Sequence, residues 1–116
     1  MANDAPLNIE QMLGKAPGTV VVHLTGPVTL SNVFVFQSYL RGGSLPTVHI
    51  LDFSAVPYAD SAGMGAIINH YVHCQKNGVR LIITGVSLRV MELFKLTKMD
   101  TVMSLFPTVE DAEASF

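Results

Sequence analysis

The chain has 116 residues, of which 49% are hydrophobic and 14% charged. That length and apolar content fit one folded domain, residues 1–116, able to bury a core without staples, and they exclude a disordered chain. The formal net charge is −2 and the seven Lys and Arg are scattered, which excludes the basic footprint that nucleic-acid binding requires.

Residues 1–7 carry Asp4 and neither Lys nor Arg, with no apolar run behind them, so no signal peptide is expected. Residues 7–13 begin with alternation at Leu7 and Ile9 and form a weak first strand. A turn around Pro17 leads into a β-branched strand over 19–25, and the short connection predicts an antiparallel hairpin. Gly26-Pro27 stops that strand. Leu30, Val33, Phe34, Phe36 and Leu40 then recur at helical spacing, with Thr29 or Ser31 as the cap and Gly42-Gly43 as the stop. Residues 48–53 form a short apolar strand of the kind covered on both faces. A helix follows over 62–76, with Ile67, Ile68, Tyr71, Val72 and Cys74 on its apolar side and Asn77-Gly78 at its end.

Residues 79–84 make the next strand, and Ser87 caps a helix over 88–96 carrying Leu88, Met91, Leu93, Phe94 and Leu96. A short last strand is expected over 101–105. A terminal helix starts at Pro107-Thr108, with Glu110 and Asp111 in its first turn, where negative charge suits the dipole. The alternation predicts an α/β fold: a mixed, mostly parallel sheet of four or five strands, opened by a hairpin and covered by about four helices. No apolar stretch approaches the roughly 20 residues needed to span a bilayer, so no membrane insertion is expected. The single cysteine, Cys74, cannot make an internal disulfide, which points to a reducing cytoplasm.

One segment breaks the ordinary pattern. In Asp60-Ser61-Ala62-Gly63-Met64-Gly65 a serine sits where a loop becomes a helix, and two glycines follow within the first turns. Each glycine costs a helix about 1 kcal/mol relative to alanine. Either a close backbone approach or tight helix–sheet packing would account for them. Met64 could face the core or a partner. Asp60-Ser61 could be a simple helix cap. A phosphoryl group on Ser61 would meet the unpaired N–H groups and partial positive charge of the helix start, and would add about −1.5 to −2 charge beside Asp60.

The stretch V-H-I-L-D-F-S-A-V-P-Y-A-D-S-A-G-M-G, residues 48–65, resembles the signature of the STAS domain family, whose core is D-S-x-G-[LM]-G. The similarity continues through N-G-V-R-L-I-I-T-G-V at 77–86, R-V-M-E-L-F-K-L-T at 89–97 and F-P-T-V-E-D-A at 106–112. Among the family are anti-sigma-factor antagonists. The resemblance implies that Ser61 is a phosphorylation site. The partner would be an anti-sigma factor with serine-kinase activity, opposed by a serine phosphatase. The contact surface would comprise Asp60, Ser61, Ala62, Gly63, Met64 and Gly65, with the loop Gly85-Val86-Ser87 and the loop holding Thr29. No enzymatic activity, cofactor or metal of the chain's own is implied. Two positions depart from the pattern: Thr29 stands where antagonists carry Asp, and Lys98 where the family has a turn glycine. Gly26-Pro27 resembles the start of STAS domains in sulfate-type transporters, which keeps open an interaction or scaffold module without phosphorylation.

Other chemistries fit less well. Ser61 lacks the G-x-S-x-G elbow of a hydrolase, and Gly63-Met64-Gly65 is too short to cradle a nucleotide. His70, His73 and Cys74 share helical spacing, but no fourth metal ligand is evident. His23 and His49 are expected to be structural. A small-ligand or lipid carrier is left open by the apolar content, although no pocket can be read from sequence.

Overall fold

The computed structural model describes residues 5–43 and 45–116; residues 1–4, part of the stretch read above for a targeting signal, lie outside the described residues. The elements are β1 (Asn8–Leu13), β2 (Thr19–Thr25), α1 (Val33–Arg41), β3 (Val48–Ala55), α2 (Ser61–Lys76), β4 (Arg80–Thr84), α3 (Leu88–Leu96), β5 (Ser104–Phe106) and α4 (Val109–Ala114). A single 3-10 turn, Met99–Thr101, precedes β5. No described helix is long and apolar enough to cross a membrane.

The strands lie side by side in chain order, β1-β2-β3-β4-β5. β1 runs antiparallel to β2, and the other pairings are parallel. Each crossover steps one strand in the same direction, so right-handed connections put α1, α2 and α3 on one face. There Val33, Phe36, Ile67, Val90 and Phe94 pack on Val22, Leu51, Phe53 and Ile83. α4 covers part of the other face, with Ala112 and Val109 against Val21, Ile50 and Ile82. β3 is therefore apolar on both sides. β1 is an edge strand, largely exposed and carrying Glu10 and Gln11.

Several expected boundaries move. α1 starts at Val33, later than Leu30, and neither Thr29 nor Ser31 caps it. Asn32 occupies the cap position but sends its side-chain amide back to the Pro27 carbonyl at 2.7 Å, which holds the Gly-Pro corner closed. Val33, Phe36 and Leu40 then face inward, while Phe34 points out. In α3 the inward stripe is Val90 and Phe94, four residues apart, leaving Leu88 and Leu96 exposed. The last strand begins at Ser104, because the 3-10 turn consumes the residues before it.

Lys98 ends α3 in the left-handed region, at φ 61° and ψ 18°. The turn in which Lys98 replaces the family's glycine thus adopts a conformation that favours glycine. A lysine there carries backbone strain on the order of 1 kcal/mol. Lys98→Gly should raise the unfolding free energy by up to ~1 kcal/mol in urea titrations, less the extra freedom glycine gives the unfolded chain; a loss of stability would contradict the strain.

Beneath α2, His49 of β3 and His70 face each other in the main core, only 5% and 4% exposed. Burial, reinforced by His70 for the first ring and by His73 for the second, lowers both from 6.5 to about 4. Both are neutral at pH 7. The unfolded chain takes up protons on these rings below about pH 6.5, and the folded chain only near pH 4. Stability of chelator-treated protein should therefore be level above pH 6.5 and fall between 6.5 and 4, by up to ~1.4 kcal/mol per pH unit for each ring. Urea midpoints across pH 4–8 measure this, and a flat profile would refute it.

Candidate functional site

The loops after β2, β3 and β4 all leave the C-terminal ends of parallel strands, so they gather along one edge of the domain. The first two run together as an extension of the sheet. Val28 and Ala59 form a parallel bridge, the Val28 N–H donates to the Tyr58 carbonyl at 3.1 Å, and the Asp60 N–H donates to the Val28 carbonyl at 3.2 Å. The Asp60 side chain completes the join. One carboxylate oxygen accepts the Gly63 N–H at 2.9 Å, capping α2, and the other accepts the Leu30 N–H at 3.0 Å. A neutral cap of this kind is worth about 1 kcal/mol; here the carboxylate also fixes a second loop.

Ser61 is the first residue of α2 and is exposed. Ala62 and Gly65 are half-buried beside it. Gly63 is buried against the β2–α1 loop, where a Cβ would overlap the Val28 carbonyl oxygen; nothing lies within 4 Å of a Cβ built on Gly65. The two glycines therefore have different reasons. The first permits a close backbone approach within the fold, and the second leaves open space at the surface.

Three residues expected on the contact surface are not on it. Met64 is only 2% exposed, because the second turn of α2 points it into the core beside Val28 and Ile67. Gly63 is covered by Val28. Thr29 is buried in the loop that Asp60 holds. All three act beneath the surface.

The outward apolar groups are different residues. Leu30, held through its N–H by Asp60, is 68% exposed; Phe34 is 75% and Leu88 87% exposed. Sequence periodicity assigned all three to inward helix faces; Leu30 falls before the true start of α1, and the inward stripes of α1 and α3 run through Val33, Phe36 and Leu40 and through Val90 and Phe94 instead. Gly85 turns the chain at φ +68°, close against Ser54, and Ser87 caps α3 by accepting the Val90 N–H at 3.2 Å. Val86 and both neighbours are half-buried and line an open hollow of about 630 Å³ with Met91 and Phe106. The Arg89 guanidinium lies 4.9 Å over the Tyr58 ring, linking the start of α3 to the loop before Asp60.

Two further clusters of polar groups lie outside the Asp60–Ser61 junction. On the α4 face, Asp52 accepts from the Ser54 N–H at 3.1 Å and the Thr84 hydroxyl at 3.2 Å, and meets His23 Nδ1 at 2.7 Å. Burial opposes the charged carboxylate, but Ser54 and His23 together lower its pKa. In the main core, His70, His73 and Cys74, which share helical spacing and are set aside as a ligand set on sequence grounds, do not come together. His73 is exposed, and His49 takes its place beside His70 and Cys74.

The profile of the STAS domain family matches residues 11–112. An anti-sigma factor antagonist from Mycobacterium paratuberculosis superposes with a TM-score of 0.78 over 93% of each chain, at 20% identity. The Bacillus cell fate determinant SpoIIAA, in its phosphorylated form, gives a TM-score of 0.71 over 93% of this chain and 98% of its own, also at 20% identity. At these identities the likeness is one of fold. Mouse solute carrier family 26 member 10 is 27% identical over 94% of this chain, which spans only 18% of that protein's length.

The contrast between the glycines is measurable. Gly63→Ala should destabilise the chain by ~2 kcal/mol through overpacking against Val28. Gly65→Ala should be neutral or stabilising by up to ~1 kcal/mol through helix propensity. Equal urea midpoints for the two variants would contradict the close approach.

Proposed function

The chain belongs to the STAS domain family, and on that footing we propose that it is an anti-sigma-factor antagonist switched by phosphorylation of Ser61. One observation carries the reading: Ser61 is exposed at the first position of α2, on the edge where three loops converge. Its hydroxyl is open to a partner's active site. The partner is an anti-sigma factor that is also a serine kinase, and a serine phosphatase reverses the change. The ATP belongs to the kinase, and the chain itself carries out no reaction. The solved antagonist folds superpose over nearly its whole length, which supports the general role.

The switch follows from charge. Unmodified, the edge offers a neutral hydroxyl with exposed Leu30 in the loop that Asp60 holds, and exposed Phe34 and Leu88 in the first turns of α1 and α3, apolar groups suited to an apolar partner patch. Phosphorylation adds a near-dianion at the helix start. The remaining N–H groups of the first turn and the helix dipole stabilise it there. Asp60 cannot relieve its repulsion by turning away, because both carboxylate oxygens are held. A docked apolar surface would have to desolvate that charge, which is costly without a pairing cation. The unmodified form binds and the modified form is released.

A second reading has its own support. The 27% identity to the mouse solute carrier spans nearly the whole chain, and Thr29 is buried where antagonists carry a carboxylate. In that reading the edge is a constitutive docking surface and Ser61 is only part of the α2 start. Incubation with candidate anti-sigma kinases and ATP, followed by intact mass measurement, separates the two: the switch requires a gain of one phosphate, lost in Ser61→Ala. In pull-downs Ser61→Ala should retain the kinase and Ser61→Asp should lose it, and equal capture by both variants would reject the switch.

A further inference from the structure

Three polar side chains interrupt an otherwise apolar core layer. His49 projects from β3 on the same face as Leu51 and Phe53, while His70 and Cys74 stand one turn apart on α2 above it. His49 Nδ1 lies 3.0 Å from His70 Nε2, and Cys74 Sγ lies 3.5 Å from the same nitrogen. All three ligand atoms fall within 4.8 Å of one another, and all three residues are buried. A leucine at each position would satisfy the packing. Here the polar atoms instead turn inward to a common point.

We propose that His49, His70 and Cys74 form a binding site for a transition-metal cation of the zinc type, independent of Ser61 and its switch. The ligand chemistry is right for such an ion: two imidazole nitrogens and one thiolate, with the helical pair at the i, i+4 spacing that puts both on one face. The distances are right as well. A tetrahedral Zn²⁺ with Zn–N near 2.0–2.1 Å and Zn–S near 2.3 Å places its ligand atoms roughly 3.3–3.6 Å apart. The two separations measured to His70 Nε2, 3.0 and 3.5 Å, lie within about 0.3 Å of that spacing. The third, between His49 and Cys74, is bounded at 4.8 Å, so those two ligands draw together by up to about an ångström around the ion. Both rings are neutral. In the ion-free fold one of the two facing nitrogens carries the proton of their 3.0 Å contact, and on binding that ring changes tautomer so that its proton moves to the outer nitrogen.

Binding releases the thiol proton of Cys74 to solvent, leaving a thiolate, and each imidazole carries its proton on the nitrogen facing away from the ion. The resting thiol is held protonated by burial, so the cation itself must drive that loss. Access comes from a hollow of about 270 Å³ that His70 borders with Gln37, Asn69 and His73. A water entering there completes the fourth position. The bound ion cross-links β3 to the second half of α2, the helix that begins with Ser61.

The full chain, chelator-stripped and kept reduced, should be titrated with Co²⁺ as a spectroscopic probe and then with Zn²⁺. The expected result is one equivalent of Co²⁺, intense tetrahedral d–d bands and a thiolate-to-cobalt charge-transfer band, all bleached by Zn²⁺. Cys74→Ala should abolish the charge-transfer band. His49→Gln should weaken binding at least tenfold, and His73→Ala should leave it unchanged. Absence of the charge-transfer band in folded wild-type chain overturns the site, whatever the variants do, and leaves a hydrogen-bonded trio only. Loss of binding in His73→Ala with retention in His49→Gln overturns the ligand set.

Discussion

The Asp60 carboxylate holds two loops with two oxygens, and the geometry of the whole functional edge follows from that arrangement. One oxygen ends α2 at Gly63 and the other fixes Leu30 in the loop after β2. The backbone beside it is already paired, with Val28 bridging to Ala59. Gly63 lets the first turn of α2 press directly onto Val28. Without a carboxylate at residue 60, Leu30 would lose its bond to the helix start, and only the backbone pairing of Val28 and its contact with Gly63 would hold the loop after β2. Leu30 would then no longer have a defined position relative to Ser61. The exposed serine is the chemical feature of the edge, and the carboxylate next to it is the mechanical one.

That division explains how a small, mostly apolar domain can present one reactive position in a fixed setting. The residues that set the geometry, Gly63, Met64, Val28 and Thr29, are buried and shielded from any partner. The residues left open to a partner, Ser61, Leu30, Phe34 and Leu88, are exposed at or near element starts or in the loop itself. Recognition and support therefore fall on different side chains, although they alternate along a few residues of sequence. Arg89, stacked on Tyr58, extends the support to α3.

Much of the fold was legible because its signals are local. β2 and α3 match their expected bounds, and Ser87 and the acidic first turn of α4 mark real helix starts. The fold class and the N-terminal hairpin follow from strand alternation and connection length. The site was legible at Asp60 and Ser61, where capping chemistry and a motif coincide. What failed depended on facing. Periodicity alone put Phe34 and Leu88 inward: α1 starts three residues later than expected, which changes the stripe that faces the sheet, and in α3, whose bounds are as expected, the inward stripe is Val90 and Phe94, leaving the first residue outside. Asn32 took the place of Thr29 and Ser31 through a contact to Pro27 that no spacing rule encodes. His49 could not be grouped with His70 and Cys74, because the strand carrying it lies 21 residues before that helix position and meets it only through the crossover.

The order of the strands has a consequence for how the chain reaches this state. Every strand pairs with its immediate successor, so each new βα unit adds to a sheet edge that already exists. No segment must wait for a distant one to arrive, and the entropy lost in closing each loop stays near the minimum open to a parallel sheet. A chain emerging N-terminus first could lay down the hairpin and then extend it unit by unit. The join of the loops after β2 and β3, with Ser61 on it, would be in place once α2 has docked, whereas the loop after β4 still awaits Phe106, whose carbonyl accepts the Gly85 N–H.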